Sequence, residues 1–388
     1  MGTRIYGLQF WLLCLSSYLF FSSFTMIIPE LPGYLSRMGG EEYLGLIISL
    51  FTLTAGLSRP FSGKLTDQWG RIPVMVIGAV VSAVGSVMYP FISGVYGFLL
   101  IRLFHGFSTG FKPTATSAYV ADLVPFDRRG EALGMLSMFG TIGTASAPVI
   151  GSMIYLNFGI NTLFYASAAF AILSVLILIG MKETLSPRKS FSFSLLKISK
   201  DEIYEPAVVV PSIVMLFTTF SFGTVVTLSP DFSEFLGIGN RGLFFSFFTG
   251  SSLLVRIIGG RLSDRFGRRF VLKMSTFILF ASMTVIGFST STTQFFLGAF
   301  FFGIGYGLNS PTLFAWTIDL SPEEKRGKGI STLFIALEIG IGLGALITGS
   351  LYQGIDSRFP IIFGCSAIFS LLAFFYLLFF TSNEPTVN

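Results

Sequence analysis

Apolar stretches of about 20 residues recur along this chain from end to end, and each is long enough to cross a ~30 Å hydrocarbon core as a helix. A spanning segment of that length has to satisfy its backbone polar groups internally, which a helix does. The composition agrees. Of 388 residues, 52% are hydrophobic and 12% charged, with mean hydropathy +0.76; a soluble chain carries about 25% charge. The pattern predicts an all-α polytopic membrane protein. Its helices fall near 8–28, 43–63, 73–93, 95–118, 131–155, 161–181, 206–228, 241–261, 270–289, 293–318, 329–352 and 359–381. The first segment, LQFWLLCLSSYLFFSSFTMII, has only Arg4 ahead of it and lacks a small-x-small cleavage site, so it reads as a retained helix, not a signal peptide. The two cysteines, Cys14 and Cys365, lie in apolar segments and suggest neither a disulfide framework nor a metal site. No cofactor is expected.

An even number of spans puts both termini on one side, and the basic residues say which. Of the 25 Lys and Arg, eighteen fall in the N-terminus and the even-numbered connections. Three (Arg37, Arg241, Arg358) fall in odd-numbered ones, and four (Arg59, Arg102, Lys112, Arg256) lie within helices. The positive-inside rule then makes both termini cytoplasmic. The longest loop, KETLSPRKSFSFSLLKISKDEIYEP, is basic and divides the chain into a six-helix half at 1–181, a linker at 182–205 and a six-helix half at 206–388.

The halves align at an offset of 197 residues. GKLTDQWGR (Gly63, Asp67, Gly70, Arg71) matches GRLSDRFGR (Gly260, Asp264, Gly267, Arg268), and DLVPFDRRG from Asp122 matches DLSPEEKRG from Asp319. Arg59 falls on Arg256. Internal repeats of this kind mark secondary transporters, with substrate bound near the midplane at the repeat interface. The repeated G-x-L-x-D-x-x-G-R also resembles the signature of the major facilitator superfamily, over the whole chain. That resemblance implies twelve helices in two pseudo-symmetric bundles. It also implies a gating role for these charges: Asp67 by the start of helix eleven, Asp264 by the start of helix five, Arg71 paired with Asp122 and Arg268 with Asp319. A charge at a helix N-terminus is worth roughly 0.3–1 kcal/mol.

Charges that the repeat does not share are candidates for substrate and coupling chemistry, because intramembrane ionisable groups cost ~2.5–3.5 kcal/mol on insertion scales. At the 197 offset, Glu30 faces Thr227, Arg102 Ala299, His105 Phe302, Lys112 Asn309, and Glu338 Thr141. Residues 102, 105, 109, 112 and 116 share one helix face. That face reads Arg102, His105, Thr109, Lys112, Thr116, and is expected to line a water-filled cavity. RLFHG resembles the R-x-x-Q-G motif of the superfamily's drug/proton antiporter branch, with His105 in place of glutamine. The resemblance implies that Arg102 helps move protons. His105 is titratable and either joins in or only supplies the hydrogen bond a glutamine would. Lys112 is expected to bind an anionic group or pair with a carboxylate, with Asn309 across the cavity.

Glu338 lies about ten residues in from the cytoplasm, roughly 15 Å deep at 1.5 Å per residue. It reads either as a proton carrier or as a fixed partner of Arg102 or Lys112. Glu30, in TMIIPELP, is a second coupling candidate near the outer face. Helix five carries Gly134, Gly143, Ala147, Pro148, Gly151 and Ser152, which resembles the antiporter signature with alanine and serine replacing two glycines. Small residues let helices approach closely. Phe217, Phe220 and Tyr306 are expected to give the cavity an apolar wall.

The leading expectation is a proton-coupled exporter of hydrophobic or amphiphilic small molecules, with the cations favouring an anionic group. The alternative is an importer of a sugar or metabolite anion. One histidine and no nucleophile–base pairing argue against an enzyme, and the Gly340–Gly344 run lies inside a predicted span, against a nucleotide loop. The expected partners are a small-molecule substrate, the proton and the lipid bilayer of a bacterial-type inner membrane. The chain is expected to work as a monomer, without nucleic acid.

Overall fold

A computed structural model describes residues 6–125, 129–199, 203–322 and 326–379; the side chains of 129–131, 257–261, 264 and 326–327 lie outside that description. Among the described residues there are twelve long helices and no strand. They are α1 (Leu8–Thr25), α2 (Leu46–Gln68), α3 (Arg71–Met88), α4 (Val95–Leu123), α5 (Arg129–Phe158) and α6 (Ile160–Ile179), then α7 (Val209–Phe235), α8 (Leu243–Phe266), α9 (Arg268–Gly287), α10 (Thr292–Leu320), α11 (Arg326–Tyr352) and α12 (Phe359–Phe379). Each predicted span corresponds to one of them. The ends differ: α2, α4 and α7 run five to seven residues beyond the predicted limits. Apolar content marks where a helix meets hydrocarbon, whereas backbone hydrogen bonding continues into the loops. Past α1, Pro29 and Pro32 interrupt the ladder, and the chain passes through a single tight turn (Ile28–Glu30) into a short helix, Leu31–Ser36.

Nine helices among the described residues are apolar and long enough to cross a membrane on composition alone; α4, α8 and α10 are not among them. α4 carries Arg102, His105 and Lys112, so its polarity is the reason it falls short. Large side chains such as Leu57, Leu100 and Ile361 are more than 60% exposed, as lipid-facing positions require.

The helices form two compact units, one holding α1 and α3–α6 with most of α2, the other holding α7–α12. Glu41–Ser49, which includes the start of α2, clusters with the second unit. The described part of the basic linker packs on the first. Lys189 N donates to the Gln68 carbonyl at 2.7 Å, Lys64 Nζ donates to that of Lys197 at 2.6 Å, and the Trp69 and Phe191 rings are 5.3 Å apart.

Within each unit the closest helix crossings depend on small residues. α5 meets α1 at Gly143 and Gly151, where an added Cβ would lie 2.8 Å from the Tyr18 carbonyl oxygen and 2.1 Å from that of Met26. α11 meets α7 at Gly340 and Gly344, where a Cβ would lie 2.1 Å from Thr219 Oγ1 and from the Phe220 carbonyl oxygen. The Gly340–Gly344 run is thus a packing surface within α11, and Gly344 stands where α5 has the buried Ala147. Overpacked cores lose about 1–3 kcal/mol. Gly151→Val is expected to destabilise the purified protein by an amount in that range, read as a lower melting temperature. Gly134→Ala, where nothing lies within 4 Å, should leave it unchanged or raise it slightly; equal effects at the two sites would contradict the packing assignment.

Candidate functional site

The polar face of α4 is buried inside the first unit. Arg102 and Lys112 are 1% exposed and His105 0%. The sequence reading puts this face on the wall of a water-filled cavity; the structure turns it inward, toward α1 and α3. Helical period fixes which residues share a face but not which neighbour they meet. Here α3 presents Gly78, at which a Cβ would lie 2.6 Å from Lys112 N, and the two helices close on each other.

Lys112 Nζ reaches past Gly78 to α1. It donates to the Ser16 carbonyl oxygen at 3.1 Å and lies 4.7 Å from the centre of the Phe20 ring, within cation–π range. Its repeat partner does the same work in the second unit. Asn309 on α10 accepts from Thr218 Oγ1 of α7 at 3.1 Å and donates to Ser275 Oγ of α9 at 3.2 Å. Ser275 is the counterpart of Gly78 at the 197 offset. Each unit therefore ties its fourth helix to its first through this position, by a long ammonium in one and a short amide in the other. Lys112 and Asn309, both expected to face a cavity, are each buried and bonded within their own unit.

Arg102 NH1 donates to Tyr89 Oη at 3.2 Å, and its guanidinium carbon lies 4.6 Å from the centre of the Phe51 ring. His105 Nδ1 is 3.3 Å from the same Tyr89 hydroxyl, and its Nε2 is 3.1 Å from Ser82 Oγ. Ser82 Oγ is 3.0 Å from Ser23 Oγ, which donates to the Phe20 carbonyl at 2.7 Å. Ser167 of α6 donates to the Ser23 carbonyl at 2.5 Å and Ser174 to that of Ser16 at 3.0 Å. Ser16, Phe20 and Ser23 are spaced four and three apart, so one face of α1 collects donors from three other helices. Tyr89, Ser82 and Ser23 are absent from the sequence-based candidates, because nothing in a single helix's pattern shows what another helix brings to it.

The acidic candidates are also buried. Glu30 Oε1 accepts from Ser152 Oγ of α5 at 2.6 Å, so the serine that replaces a glycine of the antiporter-like motif binds the glutamate. Glu338 is 7% exposed, and both it and Arg256 act electrostatically on Tyr306. Glu338 thus sits with Tyr306 and Arg256 of its own unit. Tyr306 stacks on Phe222 at 4.9 Å, and Phe220 on Phe369 at 3.9 Å. Phe220 is fully buried, a core residue of the second unit where the sequence reading expects a cavity wall.

Glu30 does have a counterpart. Pro29-Glu30-Leu31 matches Pro230-Asp231-Phe232, and Tyr34-Leu35 matches Phe235-Leu236, at an offset of 201. Packing follows this register: Ser23 of α1 bonds Ser167 of α6, and Thr224 of α7, 201 residues on from Ser23, bonds Ser366 of α12 at 2.6 Å. The offset falls to 197 because Pro29 and Gly45 are 16 residues apart while Pro230 and Gly242 are 12 apart. The pairing of Glu30 with Thr227 is corrected accordingly. Asp231 Oδ2 is buried with no hydrogen-bond partner among the described residues, and Arg241, Glu234 and Asp356 act on it electrostatically.

The signature charges form local clusters. Arg71 pairs with Asp67 at 2.9 Å and with Asp122 at 3.1 Å, and Arg268 pairs with Asp319 at 2.9 Å. Gly63 has open space around it. Gly260 and Asp264 lie in α8, in the part whose side chains fall outside the description. Glu183 is a further member that the motif does not contain: its carboxylate accepts from Arg71 N at 3.1 Å and Ile72 N at 3.0 Å, capping α3. Gly70 takes φ +148, and a Cβ there would lie 2.7 Å from Glu183 Oε2. Gly267 holds the matching place at φ +85.

The Major Facilitator Superfamily model matches residues 11–250 and 212–388. The chain belongs to this superfamily. It is 28% identical over 376 residues to the multi-drug resistance efflux pump PmrA of Streptococcus pneumoniae, covering 92% of this chain and 91% of that one. It is 26% identical over 366 residues to the multidrug resistance protein MdtG of Klebsiella pneumoniae, covering 88% and 85%. Among solved structures it resembles the human organic anion transporter MFSD10 (TETRAN), with TM-score 0.74, 19% identity and coverage of 95% and 98%, a likeness of fold. The protein is a multi-pass membrane transporter of this superfamily.

Lys112→Met separates a structural tie from a substrate contact. Matched anionic and cationic amphiphiles are expected to stabilise the variant as they do the wild type, with Kd changed by less than about twofold, while the unliganded protein melts at a lower temperature. Selective loss of anion binding would return Lys112 to the substrate site.

Proposed function

We propose that this transporter exports hydrophobic or amphiphilic small molecules in exchange for protons, with both termini on the cytoplasmic side of a bacterial inner membrane. The observation that carries the reading is the pair of relatives named as multidrug pumps, matched over nearly their whole length. Buried ionisable groups in both units support the coupling: Glu30 and Arg102 in the first, Glu338 in the second. An ionisable group that is buried and exchanged between two aqueous sides is the usual vehicle of a coupling proton. The substrate's apolar character follows from the aromatic content near Tyr306, where Phe222 and Phe248 lie within 6 Å. The cations of α4 do not select an anion in this reading, because Lys112 is tied to α1 and Arg102 to Tyr89. Asp231 joins the coupling candidates as the symmetry mate of Glu30. The Arg71–Asp122 and Arg268–Asp319 pairs, with Glu183, brace the loop after the second helix of each half and would yield during the transport cycle. The protein acts as a monomer.

Proteoliposomes holding an imposed proton gradient test this. Substrate is expected to move against the proton flow, a sodium gradient should give no drive, and Glu338→Gln should slow gradient-driven movement by at least about tenfold while substrate still binds. Movement of substrate together with protons would favour the importer reading, and drive by sodium alone would overturn proton coupling.

A further inference from the structure

The hydrogen bonds around His105 have a direction, and their two ends set it. At one end stands Arg102, whose guanidinium can only donate. At the other stands the Phe20 carbonyl, which can only accept. Arg102 NH1 donates to Tyr89 Oη at 3.2 Å, so the hydrogen of that hydroxyl is free to point elsewhere. His105 Nδ1 lies 3.3 Å away to receive it. From the far end, Ser23 Oγ donates to the Phe20 carbonyl at 2.7 Å. Its own oxygen therefore accepts from Ser82 Oγ at 3.0 Å. Ser82, having given its hydrogen to Ser23, accepts from His105 Nε2 at 3.1 Å. Each hydroxyl donates once and accepts once, and every hydrogen runs the same way, from Arg102 to α1.

This order fits one form of the imidazole. Nδ1 is an acceptor and Nε2 carries the hydrogen. A cationic imidazole would donate from both nitrogens, and Tyr89 would then accept from Arg102 and His105 together, with no partner for its own hydrogen. The surroundings of the ring agree. Arg102 is the charged group acting on it. Phe51 of α2 meets its edge at 5.6 Å, and Gly85 of α3 lies against it. Tyr89, Ser82, His105 and Arg102 are all fully buried, so water does not compete for these bonds.

We infer that His105 is a positioning residue, held as the neutral Nε2–H tautomer, which turns the Tyr89 hydroxyl so that its oxygen receives the Arg102 guanidinium. The chain ends on a backbone carbonyl, which has no proton to pass on. It therefore serves to aim Arg102 and not to conduct. The functional consequence rests on the reading above, in which Arg102 serves coupling; the tautomer does not.

His105 is the chain's one histidine, so ¹⁵N-histidine labelling of the intact protein gives a single imidazole. The expected spectrum is that of a neutral ring with hydrogen on Nε2, unchanged over the range of about pH 5 to 8 in which histidines ordinarily titrate. A cationic ring or an Nδ1–H tautomer within that range overturns the inference. Positioning is read on the Arg102 guanidinium signal, assigned by its loss in Arg102→Lys. His105→Leu and Tyr89→Phe should both move that signal. His105→Gln should restore it, because an amide can also accept from Tyr89 and donate to Ser82. Should His105→Leu fail to fold, Tyr89→Phe and His105→Gln still decide the matter. Transport by Tyr89→Phe should fall about tenfold, as for a lost hydrogen bond to a charged group, and transport by His105→Gln should stay near wild type. An Arg102 signal indifferent to both Tyr89→Phe and His105→Leu overturns the positioning role. If the spectra come out as expected but no variant alters transport, then the coupling role of Arg102 fails while the assignment of His105 stands.

Discussion

A buried donor inside a membrane protein has no water to fall back on, and hydrocarbon offers no acceptor. The first unit meets this constraint with the carbonyls of α1. Lys112 and Ser174 converge on that of Ser16, Ser23 takes that of Phe20, and Ser167 takes that of Ser23. Because these acceptors lie on one helix face, α3, α4 and α6 must all gather round α1. The polar residues of α4 are thereby drawn into the interior of the unit. Close approach at Gly78 and Gly151 is the complementary condition, since a hydrogen bond of about 3 Å between side chain and backbone requires the helix axes to come near.

The second unit solves the same problem without the charges. Asn309 stands for Lys112, Ala299 for Arg102 and Phe302 for His105. The amide bridges α7, α9 and α10, while Phe302, stacked on Tyr306, stands in the place of His105 and Ile286 in that of Tyr89. The architecture is repeated and the chemistry is not. That asymmetry suits the coupling proposed above, in which Arg102 is a cation with no counterpart at the matching place, Ala299, in the second unit.

Much of this is legible in the sequence. Hydropathy places all twelve helices, and the repeated Gly–Asp–Gly–Arg loops reveal two halves and a superfamily. The pairs Arg71–Asp122 and Arg268–Asp319 follow the family pattern. Three things are not legible, each for a physical reason. The polar face of α4 has a clear period, but a period cannot say whether a face meets water or another helix. Tyr89, Ser82 and Glu183 matter only through contacts with distant segments. Asp231 is hidden by a change of register: the first loop of the first half is four residues longer than its mate, so a rigid offset slides past the match between Pro29-Glu30 and Pro230-Asp231.

Exchange of substrate for protons requires buried carboxylates that give up a proton when substrate binds. The most direct measurement is proton release on adding substrate to purified protein in weakly buffered detergent solution at near-neutral pH. Release is expected from the wild type, with a clear reduction in Glu30→Gln or Glu338→Gln, each variant still binding substrate. Substrate binding with no release of protons from the wild type at any near-neutral pH would contradict proton exchange as the driving step.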